Sequence, residues 1–211
     1  LQFQCAENLM NQKKKKIFVF NNSSSYNTAS IPLFLKYKKL YPFNKNAPLA
    51  LLYTAKIAED DKEYEAAIYS LKDLINTYPD SPCAAEAYFL IAHIYSGFIK
   101  GPEYDLESTR EAIRYCEDFI ALYPKNKEIG TIEALYQRML NALATNRVLL
   151  ADYYYFNKRD NVAAIIFYNE AITIAPNSQA AIEAQERLDA IEMGIRPTTG
   201  RNFIKKLFFI Q

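Results

Sequence analysis

The side chains that could do chemistry are few and widely separated along the sequence. Cys5, Cys83 and Cys116 are too few and too far apart for a disulfide framework or a C-x-x-C zinc site. The single histidine, His93, cannot build a histidine-based metal centre, and Cys116 has no histidine nearby in sequence to act as its base. We therefore expect a protein that is not an enzyme and that needs no metal or cofactor.

Paired carboxylates are the remaining candidates for acid–base chemistry or calcium binding. Asp60 and Asp61 directly precede Lys62 and Glu63, which favours a solvated turn between helices. The acidic residues within 103–107 lack the spacing of an EF-hand loop. Neither group of carboxylates predicts a reaction.

Composition favours packed helices. The chain has 211 residues, of which half are hydrophobic, and it contains 17 Tyr and 13 Phe but only 5 Gly, too few for a turn-rich β fold. Its 25 basic and 24 acidic residues give a net charge of +1, so no global positive field attracts nucleic acid. No stretch approaches the roughly 18 apolar residues that span a bilayer.

Helical periodicity from residue 46 onward is interrupted three times by a similar turn. In each preceding segment Ala and large apolar residues recur every three or four positions, and a proline then stops the helix. An alanine lies twelve residues before each proline. The turns are Tyr78-Pro79-Asp80-Ser81, Tyr123-Pro124-Lys125-Asn126 and Ala175-Pro176-Asn177-Ser178, and the alanines are Ala67, Ala112 and Ala164.

This fixed offset resembles the tetratricopeptide repeat (TPR), a helix–turn–helix unit of about 34 residues with small residues where its helices touch. A bulkier side chain at such a contact would overpack it by roughly 1–3 kcal/mol. The resemblance implies an all-α fold, a right-handed superhelical α-solenoid of antiparallel helix pairs. We assign residues 46–194 to the repeat domain, 1–45 to a flexible N-terminal arm with a possible lipid anchor, and 195–211 to a basic amphipathic tail.

The spacing between the prolines exceeds that of regular repeats, because there is an insert and a long helix. The insert, Gly101-Pro102-Glu103-Tyr104-Asp105, precedes Thr109-Arg110-Glu111-Ala112, and residues 132–156 lack Pro and Gly and form one long predicted helix. With the Tyr-Pro-x-Ser turn and the closing segment 167–178, this order resembles the BamD family, tetratricopeptide lipoproteins of the outer-membrane β-barrel assembly machinery.

The resemblance implies a non-enzymatic scaffold at the periplasmic face of the outer membrane. It implies binding to the periplasmic domains of a BamA-like barrel subunit and to unfolded outer-membrane proteins, without nucleic acid. It also implies a lipidated N-terminal cysteine, for which Cys5 is the candidate, while an ordinary exposed cysteine is the alternative. A second hypothesis is a TPR accessory factor of cell-envelope or peptidoglycan remodelling.

The first helix of each pair would line the concave side of a solenoid, where an extended peptide could bind through aromatic contacts and backbone hydrogen bonds. The residues that the repeat spacing exposes there are Lys56, Glu59, Glu86, Phe89, His93, Leu149, Tyr153 and Phe156. Alternatively, Phe89, Leu149 and Phe156 pack against neighbouring helices, and His93 is an ordinary surface residue.

The tail, residues 195–211, is the second candidate region. Its apolar and basic residues separate onto two helical faces, which suits either a membrane surface or a partner. The alternative is that the tail caps the last repeat. The candidate docking residues are Phe203, Lys205, Lys206, Leu207 and Phe208.

Overall fold

A computed structural model describes residues 1–12, 26–99 and 106–194 of the chain. Contacts divide the chain into two compact units: unit 1 contains residues 1–95 and 114–132, and unit 2 contains residues 96–113 and 133–211. The insert 101–105 and the tail residues Phe203, Lys205, Lys206, Leu207 and Phe208 lie outside the described residues.

The described residues form helices and turns, without strands. The helices are α1 (Gln2–Met10), α2 (Ile31–Leu40), α3 (Ala47–Asp60), α4 (Tyr64–Thr77), α5 (Ala84–Gly97), α6 (Leu106–Leu122), α7 (Ile129–Asp152), α8 (Asn161–Ile174) and α9 (Gln179–Glu192). A 3₁₀ turn, Thr28–Ser30, precedes α2, and a π-helical segment, Tyr153–Lys158, follows α7. Packing of α2 on α3, α3 on α4 and α8 on α9 confirms the predicted all-α fold of adjacent helix pairs.

The three predicted turns end α4, α6 and α8, and a fourth copy of the same turn ends α2. In each, the backbone N–H of the last residue donates to the carbonyl of the first, over 3.0–3.1 Å. Proline stops the helix at these positions because it has no N–H to continue the helical bonding. The fourth copy is Tyr41-Pro42-Phe43-Asn44, which lies 37 positions before Tyr78-Pro79-Asp80-Ser81 in the sequence.

Small residues lie at the same place before each turn, as a close helix contact requires. Ala67, Ala112 and Ala164 are each 0% exposed. Ser30, twelve residues before Pro42, is also 0% exposed. The repeat pattern therefore extends to α2, which precedes residue 46.

Helices α1 and α2 lie in the segment that sequence analysis assigns to a flexible arm. Phe3 of α1 is 8% exposed and its ring centroid lies 5.7 Å from that of Phe34 and 5.2 Å from that of Tyr37, both on α2. Tyr53 of α3 adds a fourth ring, 5.5 Å from Phe34. Burial of this aromatic cluster holds both helices against α3, so residue 46 is not where packing begins.

Unit 2 contains a core rich in alanine. Five alanines from α7, α8 and α9 are 0% exposed or nearly so, and Tyr168 fills the space among them. Leu188 and Ile191, in the last turns of α9, pack against this core. The alanines are Ala144, Ala151, Ala164, Ala171 and Ala184.

Candidate interaction surfaces

Five of the predicted surface residues lie on α3 and α5 within unit 1. The Lys56 Nζ and Glu86 Oε1 atoms are 2.5 Å apart, an ion pair joining the two helices. Both side chains are partly exposed, at 32% and 47%, so we expect the pair to add at most about 1 kcal/mol to folding. Its main effect is to hold two opposite charges at the surface, where a partner can reach them.

Glu59 is the more buried charge of this group. Burial raises the pKa of its carboxyl, while the nearby charges of His93 and Lys56 act in the opposite direction. Glu59 is half-buried and His93 is exposed, one on each helix. The Glu59 carboxyl is thus partly desolvated at a position close to Lys56 and His93.

Phe89 and His93 add rings to the same surface. Their centroids lie 6.2 Å apart with an interplanar angle of 10°. Phe89 also contacts Phe119 of α6 edge to face, at 6.5 Å, which fixes the ring while leaving it half-buried. Packing and exposure therefore coexist at Phe89. We call Lys56, Glu59, Glu86, Phe89 and His93 the α3–α5 surface.

A pocket of about 340 Å³ opens beside this surface. Glu86 and Phe89 line it from α5, Phe119 lines it from α6, and Lys127 and Glu128 line it from the turn before α7. Its walls combine aromatic rings with charges of both signs, which suits one apolar side chain flanked by peptide groups. No motif in the sequence indicated this pocket, because its wall comes from three separate segments.

A larger pocket of about 520 Å³ lies between two of the Tyr-Pro turns of unit 1. Tyr78 Oη donates a hydrogen bond to the carbonyl of Pro42, over 2.7 Å, and joins the turns. Phe43 is fully exposed at its edge, and Lys45 is also part of the lining. The pocket was not predicted, because the composition of residues 1–45 favours an arm; the repeated Tyr-Pro pairs were the available signal.

The other predicted surface residues, Leu149, Tyr153 and Phe156, belong to unit 2. Leu149 is half-buried, and Phe156 packs against the unit 2 core with Arg187 of α9 5.6 Å from its ring. Tyr153 is 43% exposed, and Lys158 lies 5.6 Å from its ring. Of the three, Tyr153 is the most open to a partner.

The π-helical segment explains the different environments of these aromatic residues. Tyr153–Lys158 follows α7 without interruption, so the long predicted helix 132–156 is seen as α7 plus this segment, from Ile129 to Lys158. Widening from α to π geometry changes the angle between successive side chains, and such segments are frequent at functional sites. Here Tyr155 faces the core at 9% exposure, whereas Tyr153 faces outward.

Behind the π-helical segment, three polar side chains link α7, α8 and α9. Tyr168 Oη donates a 2.5 Å hydrogen bond to Asp152 Oδ1, and Arg187 Nε lies 3.7 Å from the same oxygen. Burial raises the pKa of Asp152, while the Tyr168 hydroxyl and the Arg187 charge act in the opposite direction. Asp152 occupies a position where the repeat favours a small residue, and these partners compensate its burial. We call Asp152, Tyr168 and Arg187 the α7–α9 polar link.

Cys5 lies on α1 with an exposed side chain. Its neighbours Phe3 and Ala6 are buried. Cys83 is half-buried and burial raises the pKa of its thiol, while Cys116 is buried in α6.

Within residues 1–12, 26–99 and 106–194, no group of three or more potential ligands is placed to hold a metal ion. Of the helices in the same ranges, none combines the length and apolar character needed to cross a membrane.

These features define a tetratricopeptide-like helical-repeat protein whose candidate sites are surfaces for binding other proteins. The model of the family YfiO, outer membrane lipoprotein, matches residues 18–195. The chain belongs to this family, which locates it at the periplasmic face of the outer membrane.

A comparison with curated proteins agrees with the family match. The outer membrane protein assembly factor BamD of Caulobacter vibrioides is 24% identical to the chain over 159 residues. The match covers 75% of this chain and 52% of that protein, so the chain spans about half the length of the curated relative it matches.

Proposed function

We propose that the chain is a non-enzymatic scaffold in the assembly and insertion of β-barrel proteins into the outer membrane. The observation that carries this proposal is the family match over residues 18–195. The similarity to a BamD assembly factor and the all-helical repeat fold support it. A scaffold of this kind acts by holding partners in position, and its affinity comes from surfaces, not from a reaction centre.

The α3–α5 surface is the proposed site for unfolded barrel segments. An extended peptide exposes apolar side chains and unpaired backbone groups alternately. Phe89 and the adjoining pocket provide an apolar contact, and Glu59 and Glu86 are acceptors for backbone N–H groups. A half-buried ring beside charged groups of both signs fits both requirements of such a peptide.

The exposed end of the π-helical segment is the proposed site for a BamA-like subunit. Tyr153 offers a large ring with a polar hydroxyl, and Lys158 adds a charge beside it. Tyr and cationic side chains are common at sites that dominate the affinity of protein interfaces. Phe156, which packs against the unit 2 core, holds this end of the helix in place.

Site-specific photo-crosslinking tests the two assignments. A photoreactive phenylalanine at Phe89 or His93 should crosslink to unfolded barrel proteins, and one at Tyr153 should crosslink to a BamA-like subunit. Tyr69 of α4, which is 75% exposed, is the matched control and should give neither product. Equal crosslinking at Tyr69 and Phe89 would contradict the α3–α5 assignment, and products containing a peptidoglycan synthase would favour a role in envelope remodelling.

A lipid anchor at Cys5 is part of the proposal and can be tested separately. Maturation of a lipoprotein makes the acylated cysteine the first residue, so it would remove Phe3 from the aromatic cluster of α1, α2 and α3. Acylation at Cys5 and packing of Phe3 therefore exclude each other. Mass spectrometry of the native membrane-bound protein distinguishes them: a diacylglyceryl group on an N-terminal Cys5 supports the anchor, and a free Cys5 thiol preceded by Phe3 contradicts it.

A further inference from the structure

Helix α2 exposes leucine and lysine on the side that faces away from the core. Its buried side is fixed by Phe34 and Tyr37, which are 0% and 7% exposed. Lys38, at the edge of that side, pairs with Asp73 of α4 over 2.8 Å. At 3.6 residues per turn, the exposed residues of the helix occupy one continuous side, about half of its circumference. They are Pro32, Leu33, Leu35, Lys36, Lys39 and Leu40, which we call the α2 face.

The α2 face is more apolar than the exposed side of a helix that meets water alone. Leu33, Leu35 and Leu40 are 38%, 43% and 51% exposed. Helix α9 shows the ordinary pattern, because its exposed side has one large apolar residue, Ile182, among polar ones. Those polar residues are Gln179, Gln185, Glu186, Asp189 and Glu192. Exposed apolar side chains grouped on one side of a helix indicate a binding surface.

The charges of the α2 face are of one sign. Lys36 and Lys39 lie among the leucines, and Lys45 is exposed shortly after the helix. Between Glu7 and Glu59 the sequence contains no carboxylate side chain. Surfaces that meet only water usually mix charges of both signs. A partner that complements this face is therefore both apolar and negatively charged.

An anionic lipid bilayer meets both requirements. Helices that lie in a membrane interface bury apolar side chains at the headgroup level and place lysines beside the phosphates. The lysine stems extend along apolar surface while their charged ends stay in water. Neither of the two pockets described above includes a residue of the α2 face, so this face suits a flat surface better than a peptide in a groove. Family membership locates the chain at the periplasmic face of the outer membrane, so a bilayer surface lies nearby.

We propose that the α2 face is a membrane-contact surface, which rests on anionic phospholipid with its three leucines at the headgroup level and its two lysines beside the phosphates. Packing of Phe34 in the aromatic cluster fixes the orientation of the helix, so contact at α2 holds unit 1 at the bilayer surface. The proposal depends neither on acylation of Cys5 nor on the function proposed above.

Tryptophan fluorescence tests the proposal, because the chain contains no tryptophan of its own. Leu40→Trp is made in the full chain with Cys5→Ser, so that no lipid at position 5 contributes. Vesicles of phosphatidylethanolamine and phosphatidylglycerol should shift its emission to the blue, and lipids brominated on their acyl chains should quench it. Adding Lys36→Gln and Lys39→Gln should raise the lipid concentration needed for half of the shift about 30-fold, roughly fivefold for each lysine. Circular dichroism verifies that each variant remains helical.

Leu122→Trp, also with Cys5→Ser, is the matched control. Leu122 is 58% exposed at the end of α6, and Lys125 and Lys127 are exposed shortly after it, but a carboxylate oxygen of Glu128 lies 3.7 Å from Lys127 Nζ. Its emission should not respond to the vesicles.

Emission of Leu40→Trp that the vesicles leave unchanged would overturn the proposal, even where the chain binds the vesicles through another segment. An equal shift at Leu122→Trp would overturn it in favour of non-specific adsorption. A blue shift of Leu40→Trp that appears without vesicles as the protein concentration rises would overturn it in favour of a second copy.

Discussion

Unit 1 and unit 2 are stabilised in different ways. In unit 1, rings from helices distant in sequence pack together, as in the cluster of Phe3, Phe34, Tyr37 and Tyr53, and the Lys56–Glu86 ion pair is at the surface. Buried alanines lie at helix contacts in both units, but in unit 2 the charged groups are more deeply placed. The Asp152 side chain is 12% exposed and that of Arg147 is 15% exposed.

Arg147 shows how polar groups constrain unit 2. Its Nε atom lies 2.9 Å from Glu170 Oε2, an ion pair between α7 and α8, without the alignment of a hydrogen bond. With the α7–α9 polar link, this pair specifies which residues of the helices face one another. Alanine contacts alone would allow neighbouring registers of similar packing, whereas a buried charge accepts only the register that supplies its partner. The shape of the side chains specifies packing in unit 1, and polar pairing adds to it in unit 2.

The largest expected effect is in the aromatic cluster of unit 1. Phe34→Ala removes a ring that is 0% exposed and should reduce the free energy of unfolding by about 3–5 kcal/mol, because it leaves a cavity. Leu35→Ala is the control, since Leu35 is 43% exposed and should cost far less. Chemical denaturation measures both. Equal losses for the two variants would show that α2 does not pack on α3 through Phe34.

The next effect is in unit 2 and separates polar pairing from packing. Tyr168→Phe keeps the ring but removes the hydroxyl that donates to Asp152, and should reduce the free energy of unfolding by about 1–3 kcal/mol. Tyr153→Phe, at an exposed site, is the control and should have little effect. Adding Asp152→Asn to Tyr168→Phe should recover part of the loss, because a neutral amide costs less to bury than a carboxylate that has lost its hydrogen bond. No recovery would indicate that the loss comes from packing.

The smallest effect is the pH dependence associated with Glu59. Because burial raises its pKa in the folded state, folding strengthens proton binding by this carboxyl. The resulting stabilisation is fully present below the unfolded pKa of about 4.3 and is lost as pH rises through the folded pKa. The stability of the unmodified chain should therefore fall slightly over this pH interval, and Glu59→Gln should abolish that fall. Denaturation at several pH values measures the difference. Unchanged pH dependence in Glu59→Gln would contradict the burial of this charge.

The helical architecture could be predicted from sequence because its signals are local. Proline turns and alanines at a constant offset mark the ends and contacts of α4, α6 and α8, and those alanines are fully buried in the structure. The packing of α1 and α2 could not be predicted in the same way. Phe3 finds its partners at positions 34, 37 and 53, and the polar composition of residues 11–30 obscures the helices on either side.

The candidate surfaces were predictable in part. Repeat spacing placed five residues on the α3–α5 surface, but it gave no sign of the neighbouring pockets, whose walls come from several turns. Repeat spacing also does not account for Asp152, which lies where the repeat favours a small residue. The hydrogen bond from Tyr168 explains that residue, and it depends on the register of α7 against α8, which local spacing does not determine.

Co-purification of the intact chain from detergent-solubilised envelopes tests the central claim most directly. The chain should be recovered with a BamA-like barrel subunit, and recovery should fall when the exposed Tyr153 is changed to Ala but not when the exposed Tyr69 is changed. Recovery without any BamA-like subunit, under conditions in which the chain remains helical, would contradict its proposed role in outer-membrane protein assembly.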